Sequence, residues 1–299
     1  MRVPIALLIV AAVAVSMAAP QLATATAAAR HAAVEQAPPR LQPSDITPAL
    51  RKYRKYVHGK ITALVPAVHR LHARLVDHDV RAAKGAWLTA RLIWLRIGQD
   101  NKAYGIFGDL GQRIDGTADG LERGVHDSKF TGFHRIERDL WRRHDVAAAR
   151  ADAAYLVKAV DRLSHLSLAA AAPDGLDGAT GFILRSHEVI EDAVRDTLSG
   201  DDEYGSGTGL ASVVADVQAT RKVVTLLAPL IRPRAHKLVA RARDRLSRLV
   251  AEARTGRHHG QWTPVRSLPR RQRQSINAAA GAADEILAPI PTLLRIDSN

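Results

Sequence analysis

Residues 131–141 read TGFHRIERDLW, setting a histidine and a glutamate three positions apart inside an otherwise apolar helical pattern. At about 100° of turn per residue, Phe130, Phe133, Ile136, Leu140 and Trp141 fill one arc of roughly 140°. Glu137 falls inside that arc and His134 at its edge, whereas Arg135, Arg138, Asp139 and Arg142 project from the other side. An ionised carboxylate buried alone costs several kcal/mol, so Glu137 needs a partner or must become neutral. The available partners are a metal ion, an Arg or Lys from another helix, or His134 one turn away. His134 and Glu137 can reach one point between helices, and imidazole with carboxylate suits a hard or borderline metal ion. A His–Glu hydrogen bond, or an ion pair between Glu137 and an arginine, is the structural alternative.

A second pair lies in the span 179–199, where Ile183, Ile190, Val194 and Leu198 define an apolar stripe. His187 sits in that stripe and Glu191 at its edge, an i, i+4 pair that is a second candidate metal position. A satisfied interhelical histidine is the competing reading. His69 and His72 share a helix face without a nearby acidic stripe and read as surface, and His258 and His259 read as a solvated loop.

Catalytic signatures are lacking. There is no HExxH, since HEVIED (187–192) has Glu191 where the second histidine would stand. No G-x-S-x-G elbow and no G-x-x-x-x-G-K-[ST] loop occur, and without cysteine there is no thiol nucleophile. No catalytic residue is assigned.

These residues need helices to position them. Apolar residues recur at helical spacing through 47–77, 79–97, 145–166, 179–199, 209–231, 233–255 and 270–288, and Thr131 is placed to cap the helix that carries His134. Gly98–Lys129 is Gly- and Asp-rich and reads as irregular with short helical turns, and AAAAPDGLDG (169–178) reads as a break. No strand alternation appears. Short turns between long helices favour antiparallel packing. The expected fold is all-α, without significant sheet.

The N-terminus, MRVPIALLIVAAVAVSMAAP, has one early arginine, an apolar run and then small residues up to Ala23-Thr24-Ala25. That is the layout of a secretory signal peptide over 1–28; as an uncleaved anchor the run is short. Residues 29–47 are Ala- and Pro-rich and read as a linker, leaving 48–295 as the folded domain. Export implies a periplasmic, cell-surface or extracellular site. The chain has no cysteine, so it offers no attachment point for a lipoprotein anchor and folds without disulfides.

The net charge is +13, densest in 232–250 and 266–274. An exported chain rarely meets nucleic acid, and none is assigned as a partner. The basic runs read as a solvated face, or as a surface for anionic cell-surface polymers.

Gly132-Phe133-His134-Arg135-Ile136-Glu137, closed by Leu140-Trp141, resembles the His-x-x-Glu motif of the imelysin-like family, particularly its EfeO/EfeM branch. Phe107-Gly108-Asp109-Leu110 and Arg113-Ile114-Asp115 are similar to the segment just upstream of that motif. Val189-Ile190-Glu191-Asp192, Leu198-Ser199-Gly200 and Asp202-Glu203-Tyr204 are similar to its later region. The resemblance spans residues 48–295. It implies two antiparallel helical bundles and an extracytoplasmic part in iron acquisition, beside a membrane iron permease and a haem-containing peroxidase. It adds Asp115 to His134 and Glu137 as a metal ligand. The implied metal is iron, ferric or ferrous, with copper and zinc as alternatives.

About twenty linker residues precede the helices, too few for the cupredoxin domain that many such proteins carry, so a single-domain form is expected. The family is also catalogued among peptidases, a distant third reading. Where members typically show Tyr-Glu-Arg-Ile-Glu, this chain has Trp94-Leu95-Arg96-Ile97-Gly98, lacking both carboxylates. Asp100 and Asp109 are candidates to replace them. A metal-free scaffold or adhesion protein is the expectation should the site be lost.

Overall fold

Apolar spacings of three and four residues carry directly into α1 (Pro43–Val76), whose buried face runs through Tyr53, Val57, Ile61, Leu64, Val68, Leu71 and Leu75. The computed structural model describes residues 39–98, 107–166 and 178–296. The proposed signal peptide, most of the linker, Asp100 and nearly all of the AAAAPDGLDG break lie outside them. α1 begins inside the span read as linker, because Pro43 suits a first helical turn and Asp45 accepts the Gln42 N–H at 2.9 Å.

Asp79 opens α2 (Val80–Leu95) by accepting the Ala82 N–H at 2.9 Å, and buries Trp87, Arg91 and Trp94 along one face. α3 (Gly108–Asp115) is followed by a single 3-10 turn and then α4 (Gly132–Arg138), which runs into a π turn over Asp139–Arg143. α5 (Val146–Ser164) is capped by Asp145. These five helices pack mainly on one another.

The stretch read as one helix over 179–199 is interrupted instead. α6 (Ala179–Leu184) stops at a turn through Arg185–His187, α7 (Glu188–Asp192) restarts, and a second π turn covers Ala193–Thr197. Val194, placed in the apolar stripe, is exposed. α8 (Gly209–Ile231) is buried nearly all round over its first three turns. It packs against α9 (Leu238–Arg254), and α9 packs in turn against α10 (Arg270–Leu287), with α11 (Pro289–Leu293) following. α9 starts five residues later than its periodicity predicts.

The architecture is therefore all-α: α1–α5 form one helical bundle, and α8–α10 with α7 form a second. Contacts of α1 and α2 with α8 join them, and the two share one continuous apolar core. Sheet among the described residues is limited to a two-residue hairpin, Arg257–His258 against Gln261–Trp262, and a bridge between Leu41 and Ile296. The pair read as a solvated loop, His258 and His259, lies on that hairpin. No helix among the described residues is long and apolar enough to cross a membrane.

Gly132 decides how α3 meets α4. Its φ is +76°, and a Cβ built there would lie 2.1 Å from the Ile114 carbonyl oxygen. The resulting approach of two backbones brings Asp115, at the end of α3, beside His134. Thr131 caps by position only: its hydroxyl donates to the Arg113 carbonyl at 3.2 Å and accepts no N–H of its own helix. Trp87 adds a tie from α2, donating Nε1–H to the Phe133 carbonyl at 2.9 Å. Gly132→Ala meets an immovable carbonyl and left-handed strain together, and should cost about 3 kcal/mol or more of stability. Urea unfolding of the two proteins measures this; a loss below about 1 kcal/mol would remove the close approach as the organiser of the site.

Candidate functional site

Glu137 is buried, as its place on the helical wheel requires. Its Oε1 accepts two backbone N–H groups, from Tyr204 at 3.1 Å and Ser206 at 2.8 Å. Its Oε2 lies 3.5 Å from His134 Nδ1. Burial raises the Glu137 pKa, opposed by the nearby Arg91 charge and the hydrogen bonds from Ser206 and Tyr204. The carboxylate thus fixes the 202–208 loop against α4 and stands behind the imidazole.

The cation in this seam is a side chain. Arg91, on α2, is 4% exposed. Its Nε donates to Asp115 Oδ1 at 3.4 Å and its Nη1 to Ser212 Oγ at 2.9 Å. Its Nη2 lies 3.2 Å from His134 Nε2 and 3.5 Å from Asp202 Oδ2. A guanidinium only donates, so Nε2 accepts, and the neutral imidazole carries its proton on Nδ1, facing Glu137. His134 Nε2 is also 3.4 Å from Asp115 Oδ1. Burial by itself would lower the Arg91 pKa, but Asp115, Asp202, Glu137 and Asp216 outweigh it and raise it, so the group stays charged.

Around this centre lies a cleft of about 70 Å³. α2 supplies Arg91 and Leu95, α3 Asp115, α4 His134, and α8 Asp216. Asp192, Asp196 and Asp202 complete the acidic wall. Asp192 and Asp196 are paired with Arg195, whereas Thr197 donates to Asp202 at 3.0 Å. Asp115, Asp202 and Asp216 share one guanidinium, and even with Asp216 protonated one negative charge is left over. Asp216 has its pKa raised well above the carboxylate range by burial; Arg91 opposes this, and Asp202, Asp115 and Asp192 add to it. A chain of net charge +13 thus encloses an acidic cleft.

Two of the residues singled out from sequence, Asp115 and His134, line this cleft, and Glu137 does not. Leu95 lies on the cleft wall, so an acid there would face the same space; at Gly98, with φ +77°, a Cβ would instead meet that of Ala219 at 3.3 Å. Asp109 is exposed on the first turn of α3. Asp139, placed on the polar side of the wheel, is buried and paired with Arg143 at 3.0 Å, because the π turn that it opens packs against α5. His187 and Glu191 do approach, at 3.5 Å, but the other ring nitrogen of His187 meets Asp284 at 3.0 Å. The imidazole bridges two carboxylates on opposite sides, which is the interhelical arrangement. His69, read as lacking an acidic neighbour, pairs with Asp161 of α5 at 3.1 Å.

The donors, carboxylate oxygens with one imidazole, fit a hard cation chemically. Among the described residues, no three such side chains already converge on one ion position. Arg91, Asp202 and Asp216 were not selected from the sequence. The signal was available: Arg91 shares the buried face of α2 with Trp87 and Trp94, and Asp216 interrupts an apolar run on α8.

With this geometry in view, residues 49–172 match the family model described as Peptidase_M75, Imelysin. Over 195 residues the chain is 29% identical to the iron uptake system component EfeO of Escherichia coli strain K12, covering 64% of this chain and 49% of that protein. EfeO of Shigella flexneri matches equally, and that of Escherichia coli O1:K1 / APEC does so over 197 residues. The chain is EfeO-like and spans about half the length of these curated relatives.

Asp216 generates a pH test. Its folded-state pKa lies above its unfolded value, so its contribution to stability is complete at low pH and is lost as pH rises through the folded pKa. Asp216→Asn should therefore raise metal-free stability at pH 7 by about 1 kcal/mol and flatten the decline between pH 5 and 7. Urea midpoints across that range decide the matter; an unchanged slope would mean that Asp216 stays ionised.

Proposed function

We propose that this chain is an exported component of an iron-uptake system that captures iron as cargo and passes it to a membrane permease, with a haem-containing peroxidase as a further partner. The acidic cleft enclosed by a basic protein is the observation that carries this reading. The likeness to proteins named as iron uptake system components supports iron as that cation. Asp115 and His134 Nε2 act as ligands. Asp202 and Asp216 replace the carboxylates missing at Leu95 and Gly98. Glu137, first read as a ligand, acts from behind: it faces the Nδ1–H and aims Nε2 into the cleft, as carboxylates commonly do behind metal-bound histidines.

Titration of the mature chain with ferric citrate, ferrous iron under anaerobic conditions, copper and zinc tests this by calorimetry. Asp115→Asn/His134→Ala should weaken iron binding by about a hundredfold, the scale expected for loss of two ligands. Iron binding equal to that of the parent would remove the site from contention.

A second reading rests on a separate observation. Arg241, Arg245 and Arg248 form an exposed stripe on α9 with Asp244 as its acid, a surface suited to anionic cell-surface polymers. Such a scaffold role requires polymer binding that weakens steeply between about 50 and 500 mM salt as the Debye length shrinks. Retention on an anionic polysaccharide column independent of salt would exclude it.

A further inference from the structure

Arg91 occupies the place where the cation of the preceding reading would sit. Its Nε and Nη2 face Asp115, His134 and Asp202 at 3.4, 3.2 and 3.5 Å, which are three of the donors that reading gives to iron. At His134 the conflict is absolute. A neutral imidazole whose proton is on Nδ1 has one lone pair, on Nε2, and that lone pair either accepts from the guanidinium or binds a metal. At the carboxylates the conflict is electrostatic, because a multiply charged ion on Asp115 or Asp202 would stand against a full positive charge in a nearly dry site.

We infer, resting on the iron reading, that Arg91 is a resident counter-cation that competes with the cargo for Asp115, His134 and Asp202. Capture then requires the guanidinium to withdraw from these three groups. Ser212, already bonded to Nη1 at 2.9 Å, is its partner on the α8 side of the cleft, and Asp216 lines the same side. Both lie on one face of α8, at i and i+4, so a rotation of the outer side-chain bonds toward α8 keeps the guanidinium beside polar groups.

Two properties follow. First, only an ion with more charge than guanidinium gains enough from the carboxylates to displace it. The cleft is therefore selective for ferric or another multiply charged hard cation over sodium and potassium. Second, the acids are never left bare when cargo departs, because Arg91 returns to them. Affinity is thereby held below what the same donors would give alone, which suits a carrier that must unload.

The test compares the parent, Arg91→Gln, Arg91→Lys and His134→Ala. Ferric citrate is titrated into each, and binding is followed by tryptophan fluorescence, since Trp94 lines the cleft. Circular dichroism and thermal unfolding with and without ferric citrate are read in parallel. Arg91→Gln should bind ferric ion at least about tenfold more tightly than the parent, within the usual range of coupling between competing occupants. It should melt at lower temperature than the parent without iron and recover with it. Arg91→Lys keeps the charge but not the fork. It should fall between the two, and it carries the test if Arg91→Gln does not fold. Ferric binding by the variant that is equal to or weaker than the parent's, with the parent's own binding lost in His134→Ala, overturns the competition while leaving the iron site intact. Absence of ferric binding from parent and variants alike overturns the iron reading, and this inference with it.

Discussion

A buried positive charge surrounded by more than one negative charge governs the arrangement of the central helices. Arg91 is anchored on α2, yet its partners come from α3, α4, the 202–208 loop and α8. Desolvating a guanidinium is costly, and hydrogen bonds from nearly every edge of the fork are what make the burial tolerable. Removing any one acid changes the balance at all the others. The two bundles share an apolar core, but this polar junction fixes the register in which α2 and α8 face each other.

Around that junction the 202–208 loop behaves as structure and not as a free connection. Glu137 takes two of its backbone N–H groups, and the Tyr204 hydroxyl accepts the Ala118 N–H at 2.9 Å. Glu203 accepts the first N–H of α8 at 3.0 Å, and the ring of Tyr204 meets His134 edge-on at 5.1 Å. A buried carboxylate that satisfies main-chain donors can hold a segment without regular secondary structure, because each unmade backbone bond would otherwise carry its own desolvation cost. The glutamate of the motif is therefore bound into the scaffold even though the histidine beside it faces the cleft.

Much of the fold was legible from periodicity. α1, α2, α5 and α10 fall close to their apolar rhythms because each buries a single long stripe, and α8 because its run of apolar residues is buried nearly all round at its start. The span 179–199 misled, since one rhythm runs on across the turn at Arg185–His187, and hydrophobic spacing cannot register such a break. At the site, the test that singled out Glu137, a charge on an apolar arc, identifies Arg91 and Asp216 equally well once applied to α2 and α8. What no wheel contains is the pairing itself. The partner of Glu137 proved to be main chain from a loop 67 residues downstream, and backbone donors leave no trace in side-chain patterning.

The two π turns, at Asp139–Arg143 and Ala193–Thr197, follow α4, which carries His134, and α7, which begins at His187 as its N-cap. A π turn holds one residue more than an α-helix needs for the same rise, so it is an insertion absorbed without breaking the helix. Both flank elements of the cleft wall. At these two places the polypeptide can shed a residue by rewinding to ordinary α geometry, and the side chains beyond would swing by about a quarter turn. Length variation among kindred chains should therefore collect there, where a gap in an alignment would mark a re-aimed wall and not a lost one.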